Sequence, residues 1–116
     1  MGQSPSKAGQ KGGEALQAVT IVLRPEARAD LEEASSWYET QRPGLGHEFL
    51  QQVDVAFRRM ETRPTQFPKV QGELRRALLR RFPYSAYFLN EPRRIVVIGV
   101  LHQRRDPWVW RQRLQD

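Results

Sequence analysis

The chain has 116 residues, which is enough for one domain and too few for two, and it contains no cysteine. Disulfides and thiolate metal sites are therefore excluded, as the sequence reads, and a reducing compartment is expected, so the chain is placed in the cytoplasm. No apolar run approaches the roughly 20 residues that cross a bilayer, and no apolar leader follows Met1, so no membrane partner is expected.

The net charge of +6 is unevenly spread. Residues 19–62 carry five Arg against eight Asp/Glu, a net of −3, whereas residues 63–116 carry twelve Lys/Arg against four Asp/Glu, a net of +8. Of the 19 basic residues 16 are Arg, the side chain that forks onto phosphate and carboxylate and stacks on rings. A GC-rich coding sequence accounts equally well for the Arg-to-Lys ratio, but not for the one-sided charge. A basic half points to an acidic partner, nucleic acid or protein.

Residues 1–18 are Gly, Ser, Gln and Lys with little to bury and are expected to be a disordered tail; the folded domain is expected over 19–116. Val19 to Leu23 is a β-branched run that reads as a strand. Pro25 and Glu26 open a helix, since proline suits its first turn and a carboxylate its positive end. Ala27, Leu31, Ala34 and Trp37/Tyr38 recur at helical spacing, with Asp30, Glu32 and Glu33 placed off that stripe. Arg42-Pro43-Gly44-Leu45-Gly46 breaks the helix, and Phe49, Val53, Ala56/Phe57 and Met60 mark a second one ending before Pro64. Two helices joined so closely form an antiparallel hairpin.

Residues 62–72 read as an irregular link. Three strands are expected at Leu74–Arg81, Tyr84–Leu89 and Arg94–Leu101, antiparallel because their connections are short. The run from Ile95 to Leu101 is apolar on both faces and should lie inside the sheet. Asp106-Pro107 reads as cap and first position of a short helix reaching about Leu114. The fold class is therefore α+β, in the order β-α-α-β-β-β-α: one antiparallel sheet packed by a helical hairpin, whose acidic side reads as ordinary solvated surface.

Four arginines, Arg75, Arg76, Arg80 and Arg81, stand within seven positions of one predicted strand. A regular strand would send Arg76/Arg80 to one face and Arg75/Arg81 to the other. Their plain explanation is a solvated strand or protection of a sheet edge, but four exceed what edge protection needs. Phe82, Tyr84 and Phe88 read as core. Trp108 and Trp110 are less committed, and one of them suits an exposed anchor, since Trp and Arg dominate binding hot spots.

The sequence resembles the RelE/ParE family of bacterial type II toxins. The resemblance rests on Leu23-x-Pro25-x-Ala27, Trp37-Tyr38, Pro64, Phe67-Pro68, Leu74-Arg75-Arg76, Arg81-Phe82-Pro83-Tyr84-x-x-Tyr87, and the stretch from Val96 through His102 and Arg105 to Pro107, in order across residues 19–112. It implies a toxin held silent by a cognate antitoxin whose C-terminal segment wraps it. RelE-like members cleave mRNA on the ribosome; ParE-like members bind DNA gyrase. No cofactor and no metal are implied.

Metal-free RNA cleavage needs an acid or base at the reacting oxygens and cations around the scissile phosphate. By resemblance the ribonuclease candidates are His102, Arg105 and Arg75. The family's further basic positions read Ser85, after Tyr84, and Ala77, so the clamp is interrupted. The favoured role of His102 is structural: closing the central strand and bonding a neighbour or the Asp106 region. The expectation is therefore a ParE-like toxin that binds a macromolecule, with Arg75, Arg76, Arg80, Arg81, Arg104, Arg105 and Trp108 as the surface for target or antitoxin. The alternative is a RelE-like ribosome-dependent endoribonuclease.

Overall fold

A computed structural model describes residues 19–105 and 107–115. The expectations for the tail 1–18 and for Asp106 as a helix cap lie outside the described residues.

The chain runs β1 (Thr20–Leu23), α1 (Pro25–Gln41), α2 (Leu45–Thr62), a single 3₁₀ turn (Pro64–Gln66), β2 (Lys69–Gln71), β3 (Leu74–Leu78), β4 (Tyr84–Glu91), β5 (Arg94–His102) and α3 (Trp108–Gln115). The five strands form one sheet in the order β1-β5-β4-β3-β2. The last four pair antiparallel, as their short links require, but β1 runs parallel to β5. The helical hairpin is the crossover that permits this, so the sheet is mixed rather than purely antiparallel.

Three further expectations need correction. The link before β3 contains the short edge strand β2, whose Lys69 and Gln71 pair with Arg75 and Leu74. β3 ends at Leu78, so Arg80 and Arg81 lie in the turn that follows, where alternation no longer assigns faces. Arg81 has a φ of 71°, a left-handed conformation that no strand holds. Of Trp37 and Tyr38, only Tyr38 turns inward: its ring packs on Phe49 at 5.3 Å, while Trp37 is 55% exposed.

Helix α1 presents small residues, Ala27 and Ala34, to the sheet and so lies close to it. Helix α2 buries Phe49, Val53, Ala56 and Met60, the predicted stripe. Phe49, Val53 and Met60 join Phe88, Ile95 and Val97 in the core on the hairpin side. On the opposite face Leu74, Tyr87, Val96, Ile98 and Leu101 are covered by Trp110 of α3, whose ring stacks on Tyr87 at 5.6 Å. β5 is thus buried on both faces, as its unbroken apolar run requires.

One feature of β5 governs the end of the molecule where the charged residues gather. β1 stops at Leu23, opposite Val97, so the rest of β5 has no strand on that side. The backbone N–H of Arg24 donates to the Val97 carbonyl at 3.0 Å and prolongs the pairing by one step. Beyond it, side chains take over. Asp30 of α1 accepts the N–H of Val100 at 2.9 Å, and Arg113 of α3 donates to the Ile98 carbonyl at 3.3 Å. Arg113 also forks onto both Asp30 oxygens, at 2.6 and 3.1 Å. This buried pair closes the open edge and ties the two layers together. The backbone makes room for it: β5 carries a bulge, with Val97 opposite Phe88 and Gly99 opposite Tyr87, leaving Ile98 unpaired in the register. A Cβ on Gly99 would stand 2.7 Å from Arg113 Nη1.

Candidate functional site

Next to this closed edge lies a groove of about 480 Å³ between α1 and the ends of β4 and β5. Glu33 and Trp37 line it from the helix, Tyr84 and Pro83 from the start of β4, and His102 and Arg105 from the end of β5. The ring of His102 meets Tyr84 edge-on at 5.3 Å, and its Nδ1 accepts the backbone N–H of Arg104 at 3.0 Å. That bond orients the imidazole and leaves Nε2 as the ring's donor in the neutral form. The N–H of Arg105 in turn donates to the His102 carbonyl, so residues 102–105 form a tight turn. Burial pushes the phenol of Tyr84 above its ordinary range, with Glu33 adding to the effect and Arg105 opposing it. Tyr38 is raised as well, by burial and then by Tyr84. Both phenols therefore stay protonated at neutral pH.

The other candidate arginines are scattered. Arg75, on the hairpin side of β3, donates to the carbonyls of Phe67 at 2.7 Å and Thr65 at 3.3 Å, and so pins the 3₁₀ turn to the sheet. Arg81 reaches Glu48 of α2 at 2.8 Å and lies over the Phe82 ring at 5.5 Å. Glu48 also takes Arg42 at 3.3 Å, and these bonds, that of Arg81 foremost, hold its carboxyl below the usual range. Arg80 and Arg104 are exposed, and Arg76 is half-buried with its Nε lacking a hydrogen-bond partner. Trp108 is 57% exposed at the start of α3, whereas Trp110 is core.

The structure therefore brings His102 and Arg105 together but leaves Arg75 apart. Arg75 stands opposite Phe88, and His102 opposite Tyr84, on the two flanks of β4. That offset of four residues is about 13 Å along the strand, with two strand spacings of about 5 Å across it. Ser85 and Ala77, the positions where the clamp is interrupted, are buried at 1% and 0% exposure and face the interior.

Sequence reasoning missed Asp30, Arg113, Glu33 and Trp37. A signal for Asp30 existed: it falls three residues after Ala27 and four before Ala34, on the spacing of the buried stripe itself. A charged residue there needs an opposite charge, and Arg113 supplies it.

The helical hairpin packed on a five-stranded sheet, with the groove beside its closed edge, defines a small α+β domain. The family model for the ParE toxin of the type II toxin–antitoxin system, parDE, matches residues 21–107, and the chain belongs to that family. Its fold is shared with a solved structure described as the chromosomal ParDE TA system from P. aeruginosa, at a TM-score of 0.65 and 19% identity, over 74% of this chain and 97% of that one. No curated protein matches the sequence. The chain is thus a type II toxin, and its family implies a cognate antitoxin as partner. Among the described residues no helix is long and apolar enough to cross a membrane, and no group of acidic, His or Cys side chains is placed to hold a metal ion.

Proposed function

We propose that this toxin stops growth by binding a macromolecular target, DNA gyrase by family, and not by cutting RNA. The observation that carries this reading is the separation of the candidate cleavage groups. Arg75 is spent on the carbonyls of Phe67 and Thr65 and sits far down the sheet from His102, so the two cannot hold one phosphate. His102 has a structural partner in the Arg104 backbone. The groove between Trp37 and Arg105 then serves as a docking surface in which an exposed indole stands beside a cation, the usual pairing of a binding hot spot. The antitoxin contributes an acidic, amphipathic tail that matches the basic half of the chain, residues 63–116.

Supercoiling by purified gyrase in the presence of the toxin is the direct test. Inhibition that is lost in Trp37→Ala and Arg105→Gln supports the reading; full supercoiling at saturating toxin overturns it. Antitoxin affinity should fall as salt rises from low to physiological strength, and a salt-independent affinity would remove the electrostatic account.

The second reading, ribosome-dependent cleavage of mRNA, draws on the shared wall of His102, Tyr84 and Arg105 in the groove. Primer extension on mRNA after induction decides it: cuts present with the wild type and absent with His102→Ala would establish the nuclease.

A further inference from the structure

On the far side of the hairpin from the groove, two adjoining hollows of about 370 and 260 Å³ open where the C-terminal end of α2, the 3₁₀ turn and the outer edge of β3 meet. They share a wall of Arg59, Gln66 and Phe67; Arg63 and Arg80 line the first, and Arg76 the second. Five arginines, Arg58, Arg59, Arg63, Arg76 and Arg80, thus line the two hollows, Arg76 from the face of β3 that carries Tyr87. Neither hollow is lined by a carboxylate, and Asp54 and Glu61 of α2 are both taken by Arg58, at 2.9 and 2.8 Å. Among the described residues none of Arg59, Arg63, Arg76 and Arg80 has an ion-pair partner. Arg59 lies over the face of Phe67 at 5.2 Å, which fixes its guanidinium at the mouth without neutralising it. The Nε of Arg76 is buried and has no acceptor. The negative end of α2 is too weak a counter-charge for the four arginines without an ion pair.

We infer that Arg59, Arg63, Arg76 and Arg80 form a phosphate-binding site, and that its ligand is the backbone of duplex nucleic acid. Arginine forks match phosphate oxygens, and two hollows with a common cationic wall suit successive phosphates. Phe67 is only 7% exposed and is covered by Arg59, so the site offers no face on which an unstacked base could lie. Contact with phosphates alone, without base stacking, favours a duplex over a single strand. The site is separate from the Trp37–Arg105 groove. Loss of gyrase inhibition and loss of duplex binding are therefore independent outcomes.

The test is fluorescence anisotropy of a labelled random-sequence DNA duplex against the purified chain over a series of salt concentrations. Arg63→Gln/Arg80→Gln removes two exposed cations from the site. Arg28→Gln/Arg93→Gln removes two exposed cations elsewhere, with the same change in net charge. The site pair should weaken binding at least about tenfold and lower the slope of log K against log salt by about 1.8, two phosphate contacts at about 0.9 each. The control pair should leave the slope near the wild-type value. An equal loss in both pairs would mean general charge attraction and would overturn the assignment. So would binding of inorganic phosphate alone, or of a polyglutamate peptide, without binding of the duplex. Unchanged circular dichroism in both pairs separates loss of the site from loss of the fold.

Discussion

Replacing Arg113 by methionine keeps the side-chain stem and removes the charge. Among the described residues, Asp30 is then left with the Val100 N–H as its one hydrogen-bond donor, at a site where the Asp30 side chain is 9% and Arg113 17% exposed. Removing one member of a buried ion pair costs about 3–5 kcal/mol, and the partial exposure of Arg113 places this case near the lower end. Such a loss is survivable in a domain whose total stability is about 5–15 kcal/mol. With a urea m-value near 1.5 kcal/mol/M, a loss of about 3 kcal/mol lowers the unfolding midpoint by about 2 M. The reciprocal variant Asp30→Asn strands Arg113, and the double variant loses the charges together. The three should be non-additive by about 1–3 kcal/mol in a double-mutant cycle. Hydrogen exchange gives a second readout, because the amide of Val100 should lose protection in Asp30→Leu while the amides of β4 keep theirs. Additive single losses, or an Arg113→Met variant within about 1 kcal/mol of the wild type, would show that this pair does not close the edge of β5.

Gly99→Ala tests the same junction from the backbone side. The added Cβ falls 2.7 Å from Arg113 Nη1 and 3.4 Å from Asp30 Oδ2, so it pushes the fork off its partner. We expect a loss of about 2 kcal/mol by urea denaturation that largely disappears in an Arg113→Met background, where nothing charged is displaced. The third prediction concerns pH. Glu48 titrates below the 4.5 ordinary for glutamate because of Arg81 first and Arg42 second. A lowered carboxyl pKa stabilises the fold above the unfolded value, and that stabilisation is lost as the pH falls through the folded value. An NMR titration of Glu48 should therefore have its midpoint below 4.5 and move upward in Arg81→Gln; an unmoved midpoint would sever the link between the β3–β4 turn and α2.

The amino-acid sequence by itself determined the secondary structure and its order, save the edge strand β2 and the end of β3, because each signal for it is local. Pro25 and Pro64 start and stop elements through their fixed φ and missing N–H. The stripe of Phe49, Val53, Ala56 and Met60 is a helical period, and Ile95 to Leu101 is an apolar run of strand length. It also determined that one half of the molecule is basic, since charge is counted without knowing where the chain goes. Only the tertiary structure decided what each charge does. Arg75 became a clamp on two carbonyls, Arg81 a partner of Glu48, and Arg113 half of a buried pair with Asp30, 83 residues away. The parallel seat of β1 was decided there too, because it depends on how the hairpin crosses the sheet. Arg59, Arg63, Arg76 and Arg80, spread over 22 positions of sequence, meet only once α2 and β3 are packed together. Pairing of charges depends on distances of a few ångströms between distant segments, and no pattern along the chain encodes those distances.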